Sequence, residues 1–185
     1  MFRHWLAALE LLGYRLEVRT LTASVHSDVP QRRDRVFVVG VLGASAVGVL
    51  DLASTAEPAF GPHVDWDDPE PWWRSVESAT PAVQSRIARG RSRHGDRFLT
   101  QHVSNHPGVS LSEPIRTITT KDQWAVVSGG WYRPLTIREN ARAQGFPDAY
   151  GWPDEATRRD CIKGIGNACP PGLARPVIER TVARI

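Results

Sequence analysis

The sequence has few cysteines, few lysines and no long hydrophobic run. Its only cysteines are Cys161 and Cys169, without a Cys-x-x-Cys pair. Two thiols cannot build a disulfide framework, so a disulfide-rich secreted scaffold is excluded and a reducing cytoplasm is expected. The longest uncharged run, residues 36–50, is too short and too rich in Gly and Ala to predict a membrane span. The N-terminus also lacks a signal-peptide pattern, and no membrane partner is expected.

Lysine is almost absent, whereas arginine is abundant. Only Lys121 and Lys163 are lysines among 23 basic residues, and the formal net charge is +3. Arginine binds phosphate and guanine in a bidentate manner, so the composition permits a polyanionic partner. Codon usage in a GC-rich genome would produce the same excess, and composition alone does not establish nucleic-acid binding. The 185 residues, 41% hydrophobic, suffice for one globular domain or slightly more.

The first 45 residues read as a fragment of an α/β sheet. Apolar spacing predicts a helix over 2–12, which Gly13 ends. Alternation predicts a strand over 14–20 with one solvent-exposed face, a polar loop over 23–31, and a strand over 36–42 that is buried on both faces. Two strands cannot close a sheet, so unpaired strand edges are expected.

Two groups of side chains offer metal ligands in an otherwise irregular region. Residues 43–80 are predicted to be an irregular connection with a short helix from Pro71 to Glu77. The oxygen ligands there do not match a calcium-loop spacing, so a solvated acidic loop is favoured. Histidines near a turn usually form hydrogen bonds, and no metal site is predicted. The two groups are Asp65, Asp67, Asp68 and Glu70, around Trp66, Trp72 and Trp73, and His102, Asn105 and His106.

Five arginines follow one another closely between residues 83 and 97. Clustered guanidinium groups are typical of contact with a DNA backbone, although a solvated basic loop explains the pattern equally well. The candidate DNA-binding side chains are Arg86, Arg89, Arg91, Arg93 and Arg97, and His94 lies among them.

A β-rich stretch comes next. Residues 98–103 are predicted to form a strand, and 115–120 and 123–127 a hairpin that turns at Lys121-Asp122. Ser128-Gly129-Gly130 is interpreted as a hinge-like link.

Residues 132–148 have the clearest local pattern in the chain. Thr136 and Glu139 fit a capping box, and Gly145 is placed to end the helix with positive φ. Arg138 and Arg142, four residues apart, share one helix face, which suits packing between two parts of a protein or contact with phosphate.

The tail is predicted to hold two more helices. The first spans about 155–163 and is followed by a tight turn at Gly164 and Gly166. The second starts at Pro170-Pro171 and is kinked or delayed by Pro176. Its predicted apolar face consists of Leu173, Val177, Ile178 and Val182.

Three segments of the chain contain recognisable motifs. They are Pro30-Gln-Arg-Arg-Asp-Arg35, Arg133-x-Leu-Thr-x-Arg-Glu-x-Ala-Arg-x-Gln-Gly-Phe-Pro-Asp148 and Gly164-Ile-Gly-Asn-Ala-Cys-Pro-Pro171. These motifs resemble, respectively, the eighth, ninth and tenth conserved blocks of the DNA cytosine-5 methyltransferase family. Their order matches, with a variable region between the eighth and ninth. The resemblance implies an α/β fold: a partial, Rossmann-like methyltransferase sheet fragment (1–45), an irregular, β-rich target-recognition region (46–131), and a return to the catalytic domain (132–185).

The resemblance also implies roles for individual residues. An arginine near the base O2 stabilises developing charge, a role that falls to Arg35, with Arg33 supporting it and Gln31 orienting. The methyl donor S-adenosylmethionine is expected near Asn167, Ala168 and Cys169. Because Cys169 stands where Val is usual, we interpret it as a small apolar filler without a catalytic role. The base-facing recognition residues are Thr117, Thr119 and Thr120.

The departures from the family pattern are as informative as the matches. No Pro-Cys pair, Glu-Asn-Val or Phe-x-Gly-x-Gly occurs, so the nucleophile, the glutamate that assists at N3 and the glycine-rich cofactor turn are missing. The resemblance therefore implies the C-terminal part of an enzyme that methylates C5 of cytosine in double-stranded DNA. It would be inactive alone and completed by a partner chain, in a bacterial or phage-infected cell with restriction-modification. The alternatives are a non-catalytic, sequence-selective DNA-binding protein and a decayed gene product.

Overall fold

The computed structural model describes residues 1–67, 73–103 and 105–184 of the chain. Helices and strands alternate irregularly along the described ranges. The helices are α1 (Phe2–Leu11), α2 (Ala23–His26), α3 (Pro81–His94), α4 (Ile137–Ala143), α5 (Arg158–Asn167) and α6 (Pro171–Val182), with a single 3-10 turn at Gly61–His63. The strands are β1 (Tyr14–Thr22), β2 (Gln31–Arg32), β3 (Asp34–Leu42), β4 (Arg74–Ser75), β5 (Arg97–Gln101), β6 (Ile115–Arg116), β7 (Trp124–Ser128) and β8 (Trp131–Pro134).

These strands form three small sheets. β1 and β3 form an antiparallel ribbon, in which Tyr14 lies opposite Leu42. β2 pairs in parallel with β6, with Gln31 opposite Ile115. The third sheet has the order β4-β8-β7-β5 and is antiparallel throughout. No helix in the described ranges is both long and apolar enough to cross a bilayer.

The β1–β3 ribbon is covered on one face only. Phe37, Val39 and Val41 pack against a small core that contains Leu21 and Leu173. The side chains on the opposite face alternate with them and point away from this core. Val36 is 59% exposed and Leu42 63%, and Val18, opposite Val38, is 41% exposed. The prediction that residues 36–42 are buried on both faces is therefore wrong for this chain, because Val36 and Leu42 are largely exposed on the second face.

The main core joins the middle of the chain, from Phe60 to Val126, to the elements of the last two motifs. One face of the four-stranded sheet packs against α4 and α5. Its fully buried members include Phe60, Leu99, Ile115, Ile118, Val126, Leu135, Ile162 and Ile165. Burial of this many large apolar side chains, each contributing about 1.5–3 kcal/mol, fixes α5 against the segment around Ile118.

The predicted hairpin at Lys121-Asp122 is wrong. β6 pairs with β2, whereas β7 pairs with β5 and β8, so the two strands belong to different sheets. The backbone amide of Ile115 donates to the carbonyl of Pro30 and extends the β2–β6 pairing. A long-range pairing thus replaces the local one that the sequence favoured. The true hairpin is β7–β8, in which Gly129-Gly130, interpreted above as a hinge, form the two-residue turn.

The arginine-rich segment is a 14-residue helix, which was not predicted. Thr80 precedes it, and Pro81 occupies its first turn, where a missing amide is tolerated. Ile87 and Gly90 lie on the buried side. A Cβ at Gly90 would come within 2.1 Å of the Phe98 ring, so this glycine allows α3 to approach β5 closely.

The tail differs from its prediction in two places. Gly164 and Gly166 lie inside α5 and do not form a tight turn. α6 begins at Pro171 as predicted and buries Leu173 and Val177, but Ile178 is 60% exposed and Val182 65%.

The predicted helix from Pro71 to Glu77 lies partly outside the described residues. Its described part contains strand β4 instead. Asp68, Glu70 and Trp72 of the acidic loop also lie outside the described residues.

Candidate active-site junction of the three motifs

The three motifs meet at the side chain of Gln31. This residue is fully buried. Its Nε2 donates to the carbonyl of Ala143 at 3.1 Å and to Oε1 of Gln144 at 2.5 Å, and its Oε1 accepts from the amide of Ile118 at 2.7 Å. Gln144 in turn donates through Nε2 to the carbonyl of Ala168 at 2.6 Å. One side chain therefore fixes the first motif to the second, to the segment around Ile118 and, through Gln144, to the third.

Arg33 forms the other buried connection. It lies between β2 and β3, two residues after Gln31, and it is only 2% exposed. Its guanidinium donates to the carbonyls of Ile118, Gly166 and Ala168. Burial, and secondarily the charge of Arg35, lowers the pKa of Arg33 to about 10, so it stays protonated at neutral pH. These contacts are all to backbone carbonyls, so Arg33 connects the first motif to the segment around Ile118 and to the third motif.

Arg35 is placed differently from Arg33. It is half-buried, and its guanidinium donates to the carbonyl of Asp34 at 2.8 Å. Within the described part of the chain no carboxylate lies within 4 Å of it. A guanidinium fixed at one nitrogen and otherwise unneutralised can stabilise negative charge that develops on a bound group.

The tenth-block residues lie beside these arginines. Asn167 ends α5 with an exposed side chain, and Ala168 is its C-cap. Partial burial raises the pKa of the Cys169 thiol, and the charges of Arg35 and Arg33 offset that rise only in part. No sequence pattern indicated that the charges of both arginines act on Cys169. The protonated thiol is a poor nucleophile, whereas the exposure of Cys169 does not fit a buried apolar filler.

Residues 117–120, which we call the threonine segment, form one wall of the junction. Thr117 donates its hydroxyl to the carbonyl of Arg32 at 3.0 Å, and Thr119 caps a turn by accepting from the amide of Lys121 at 3.2 Å. A Cβ at Gly166 would lie 2.4 Å from the carbonyl carbon of Thr119. The absence of a side chain at Gly166 therefore lets α5 pack directly on the backbone of this segment. Thr120, next in sequence, is exposed.

The arginines of α3 separate into buried and exposed groups. Arg86 is 8% exposed, because it lies on the side of the helix that faces the sheet, and burial lowers its pKa. Arg91 donates to the carbonyl of Gly129 and lies 3.5 Å from Asp96. Arg97 lies over the ring of Trp66, 4.9 Å from its centroid. Arg89 and Arg93 are exposed on the helix, as Arg91 is.

A buried ion pair supports the ninth-block helix. Arg133 and Glu139 form two 2.7 Å contacts, and their side chains are 1% and 0% exposed. Glu139 also accepts from the amides of Thr136 and Asp65, which completes the predicted capping box. The sequence indicated the box but not the burial of Arg133. Arg142 of the same helix forms ion pairs with Asp65 and Asp148. Of the two roles expected for this helix face, Arg142 therefore has the first, packing between parts of the same protein.

His106 is a buried structural residue. Its Nδ1 accepts from the amides of Gln101 at 3.3 Å and Gly108 at 3.2 Å, and its ring lies edge-on to Trp124. Burial lowers the pKa of His106 to about 4, with smaller contributions from nearby cations. The ring is therefore neutral at physiological pH and satisfies the backbone of the loop.

Comparison with known proteins identifies the family. The C-5 cytosine-specific DNA methylase model matches residues 1–57 and 73–183. The type II methyltransferase M.AplI of Arthrospira platensis is 28% identical over 94% of this chain and 49% of its own length. M.MthTI of Methanothermobacter thermautotrophicus is 30% identical over 91% and 56%. The chain thus spans about half the length of these curated relatives.

Solved structures show the same fold. The Schizosaccharomyces pombe Dnmt2 methyltransferase superposes with a TM-score of 0.63 at 15% identity, over 99% of this chain and 60% of that one. The Entamoeba histolytica methyltransferase EhMeth superposes with a TM-score of 0.61 at 12% identity, over 99% and 58%. The predicted class, a partial methyltransferase α/β fold, is confirmed. The chain belongs to the C-5 cytosine-specific DNA methylase family.

Proposed function

We propose that this chain is the C-terminal part of a DNA cytosine-5 methyltransferase, which acts with a separate polypeptide that contains the nucleophile. The observation that supports this most strongly is the junction itself. Gln31, Arg33 and Gln144 bring Arg35, the threonine segment and Asn167 to one place, although these lie up to about 130 residues apart in sequence. In this proposal residues 1–45 and 132–185 belong to the catalytic domain, and residues 46–131 bind the target.

The uncovered apolar surface supports the need for a second component. No residue of α1 is buried, and Phe2 and Trp5 are each about half exposed. This helix leads directly into β1 of the β1–β3 ribbon, on which Val36 and Leu42 are exposed. A large apolar surface beside an unpaired strand edge is typical of an interface. Further strands of an α/β sheet would cover both.

Arg35 is the residue to which we assign direct contact with the target cytosine. Addition of a thiolate to C6 of the base places negative charge on the ring. Arg35 has no carboxylate within 4 Å in the described ranges, and Arg33, held by backbone carbonyls, anchors the residue next to the start of β3. Exposed Thr117 and Thr120 are proposed to contact the DNA next to the flipped base. Arg89, Arg91, Arg93 and Arg97 are proposed to contact its backbone, whereas Arg86 supports the helix from inside.

The residues of this chain fit only the amino-acid end of S-adenosylmethionine. When bound, S-adenosylmethionine would supply the methyl group that is transferred. Exposed Asn167 can donate a hydrogen bond to its carboxylate, and Ala168 and Cys169 would contact it. The carbonyl of Ala168 is already occupied by Gln144 and Arg33, so it fixes the turn and is not available to a ligand. The remaining contacts must come from the second component.

Reconstitution tests the proposal. The chain is co-expressed with a polypeptide from its genomic neighbourhood that contains Pro-Cys and Glu-Asn-Val, and transfer of labelled methyl to duplex DNA is measured. We expect methylation only when both are present. Arg35→Ala should lower kcat by about 10²–10³, the usual effect of losing a charge-stabilising donor. Arg138→Ala, which removes an exposed arginine of α4, is the matched control and should leave kcat unchanged.

Two outcomes would contradict the proposal. Methylation by the isolated chain would show that no second component is needed. Tight, sequence-selective binding of DNA by the isolated chain, without methylation in any pairing, would favour the non-catalytic DNA-binding alternative.

A further inference from the structure

Both lysines of the chain lie at the same cavity. This cavity of about 800 Å³ is bounded by the end of the threonine segment and the first two turns of α5. Its lining residues are Thr120, Lys121, Asp122, Arg158, Arg159, Asp160, Ile162 and Lys163. Four of them are basic and two are acidic. Nothing in the motif pattern drew attention to this group, because its basic members come from two distant parts of the sequence.

The acidic side chains of the cavity are already bound. Asp122 accepts from Nε of Arg158 at 2.7 Å. Asp160 is held in the capping box of α5, where it accepts from the hydroxyl and amide of Thr157. These hydrogen bonds from Thr157 lower the pKa of Asp160, with smaller contributions from the charges of Arg159 and Lys163. The carboxylates are thus engaged in holding the walls together.

Three cations of the cavity remain available. Lys121, Arg159 and Lys163 are exposed, and no acidic side chain of residues 1–67, 73–103 or 105–184 lies within 4 Å of their nitrogens. Arg159 and Lys163 are four residues apart and share one face of α5. The walls are fixed, because Ile162 is buried in the main core and Arg158 also donates to the carbonyl of Leu135 at 2.6 Å.

We propose that Lys121, Arg159 and Lys163 form a phosphate-binding site for the DNA backbone, separate from the arginines of α3. Three unneutralised cations around a rigid concave surface match consecutive phosphates of one strand. The site rests on the proposed function, which places DNA against neighbouring Thr120. Asn167 lies one turn beyond Lys163 on the same face of α5. A phosphate bound at Lys163 would therefore hold the helix that presents Asn167 to the methyl donor.

The test measures binding of the full chain to a random-sequence 20-bp duplex by fluorescence anisotropy at several salt concentrations. The variant is Lys121→Gln, Arg159→Gln and Lys163→Gln together. Its control, Arg3→Gln, Arg15→Gln and Arg175→Gln, also removes three exposed charges and also brings the formal net charge from +3 to 0. Circular dichroism and thermal unfolding confirm that both variants fold.

We expect the cavity variant to bind at least about tenfold more weakly, with a slope of log K against log salt reduced by about 2–3, or roughly 0.9 for each lost phosphate contact. The control should keep most of the affinity and slope. Equal losses in the two variants, or an unchanged cavity variant, would overturn the site. A parent chain without salt-dependent affinity would overturn it as well, whereas methylation by the reconstituted pair would still support the proposed function.

Discussion

Nε2 of Gln31 lies 2.5 Å from Oε1 of Gln144, which connects two motifs separated by more than 100 residues. The contact is buried, and Gln144 uses its own amide nitrogen to hold the carbonyl of Ala168. A buried amide that loses its partner is costly, so this short chain of hydrogen bonds selects one arrangement of the three motifs.

The Gln31–Gln144 connection predicts energetic coupling. Gln144→Met removes both of its hydrogen bonds and leaves Gln31 short of an acceptor, so we expect a loss of about 1–3 kcal/mol in the free energy of unfolding. Gln31→Met should have a similar effect, and the double variant should lose less than the sum of the two. Urea denaturation of the four proteins gives the coupling energy, which we expect to be about 0.5–3 kcal/mol. Strict additivity would show that the two side chains are energetically independent.

We expect the free energy of unfolding to depend strongly on the presence of both Arg133 and Glu139. Glu139→Gln leaves the buried guanidinium without its counter-charge, and we expect a loss of about 3–5 kcal/mol in the free energy of unfolding. Replacing both residues by Met should cost less, because no unpaired charge remains buried. Asp148→Asn, which removes a more exposed partner of Arg142, is the control and should cost less than about 1 kcal/mol. A Glu139→Gln protein as stable as the parent would disprove this account.

Two glycines of α5 predict opposite effects of the same substitution. Gly166→Ala places a Cβ against the backbone of Thr119, which cannot move without disturbing the core, so we expect a loss of about 1–3 kcal/mol or more. At Gly164 the nearest atom to a Cβ belongs to Trp152 at 3.7 Å, an ordinary contact. Gly164→Ala should therefore stabilise the protein by about 0.5–1 kcal/mol through helix propensity. Thermal unfolding of both variants measures the difference, and equal effects would contradict the close packing.

The depressed pKa of His106 predicts a loss of stability in mild acid. The folded-state pKa is about 4, below the ordinary 6.5, so the stabilising contribution is complete above pH 6.5 and declines as the pH falls towards 4. Protonation would bring a charge into a buried site and would disturb a ring that accepts two backbone hydrogen bonds. The shift corresponds to an upper bound of about 3 kcal/mol.

His106→Asn should retain an acceptor for the loop and flatten the stability profile between pH 6.5 and 4. Urea midpoints across this range provide the measurement. His4→Asn, at an exposed position of α1, is the control and should leave the profile of the parent unchanged. An identical pH dependence in the parent and His106→Asn would show that the histidine is not responsible.

Local sequence was sufficient where a structure depends on neighbouring residues. The capping box at Thr136 and Glu139, helix α1 and the start of α6 near Pro171 formed as predicted, because caps and helical periodicity act within one or two turns. Strand pairing was not predictable in the same way. Ile115 and Arg116 pair with residues more than 80 positions away, and the turn at Lys121-Asp122 has no influence on that choice.

The sequence by itself determined the family, through three motifs in a fixed order, and it determined which catalytic residues this chain does not contain. Only the tertiary structure decided that Arg33 is buried against backbone carbonyls whereas Arg35 is half-buried without a counter-charge, because burial depends on which distant segments pack against each side chain. The tertiary structure also brought Lys121 to Lys163 and Gln31 to Gln144. These contacts depend on how the main core packs α4 and α5 against the segment around Ile118, and no spacing along the chain encodes that distance.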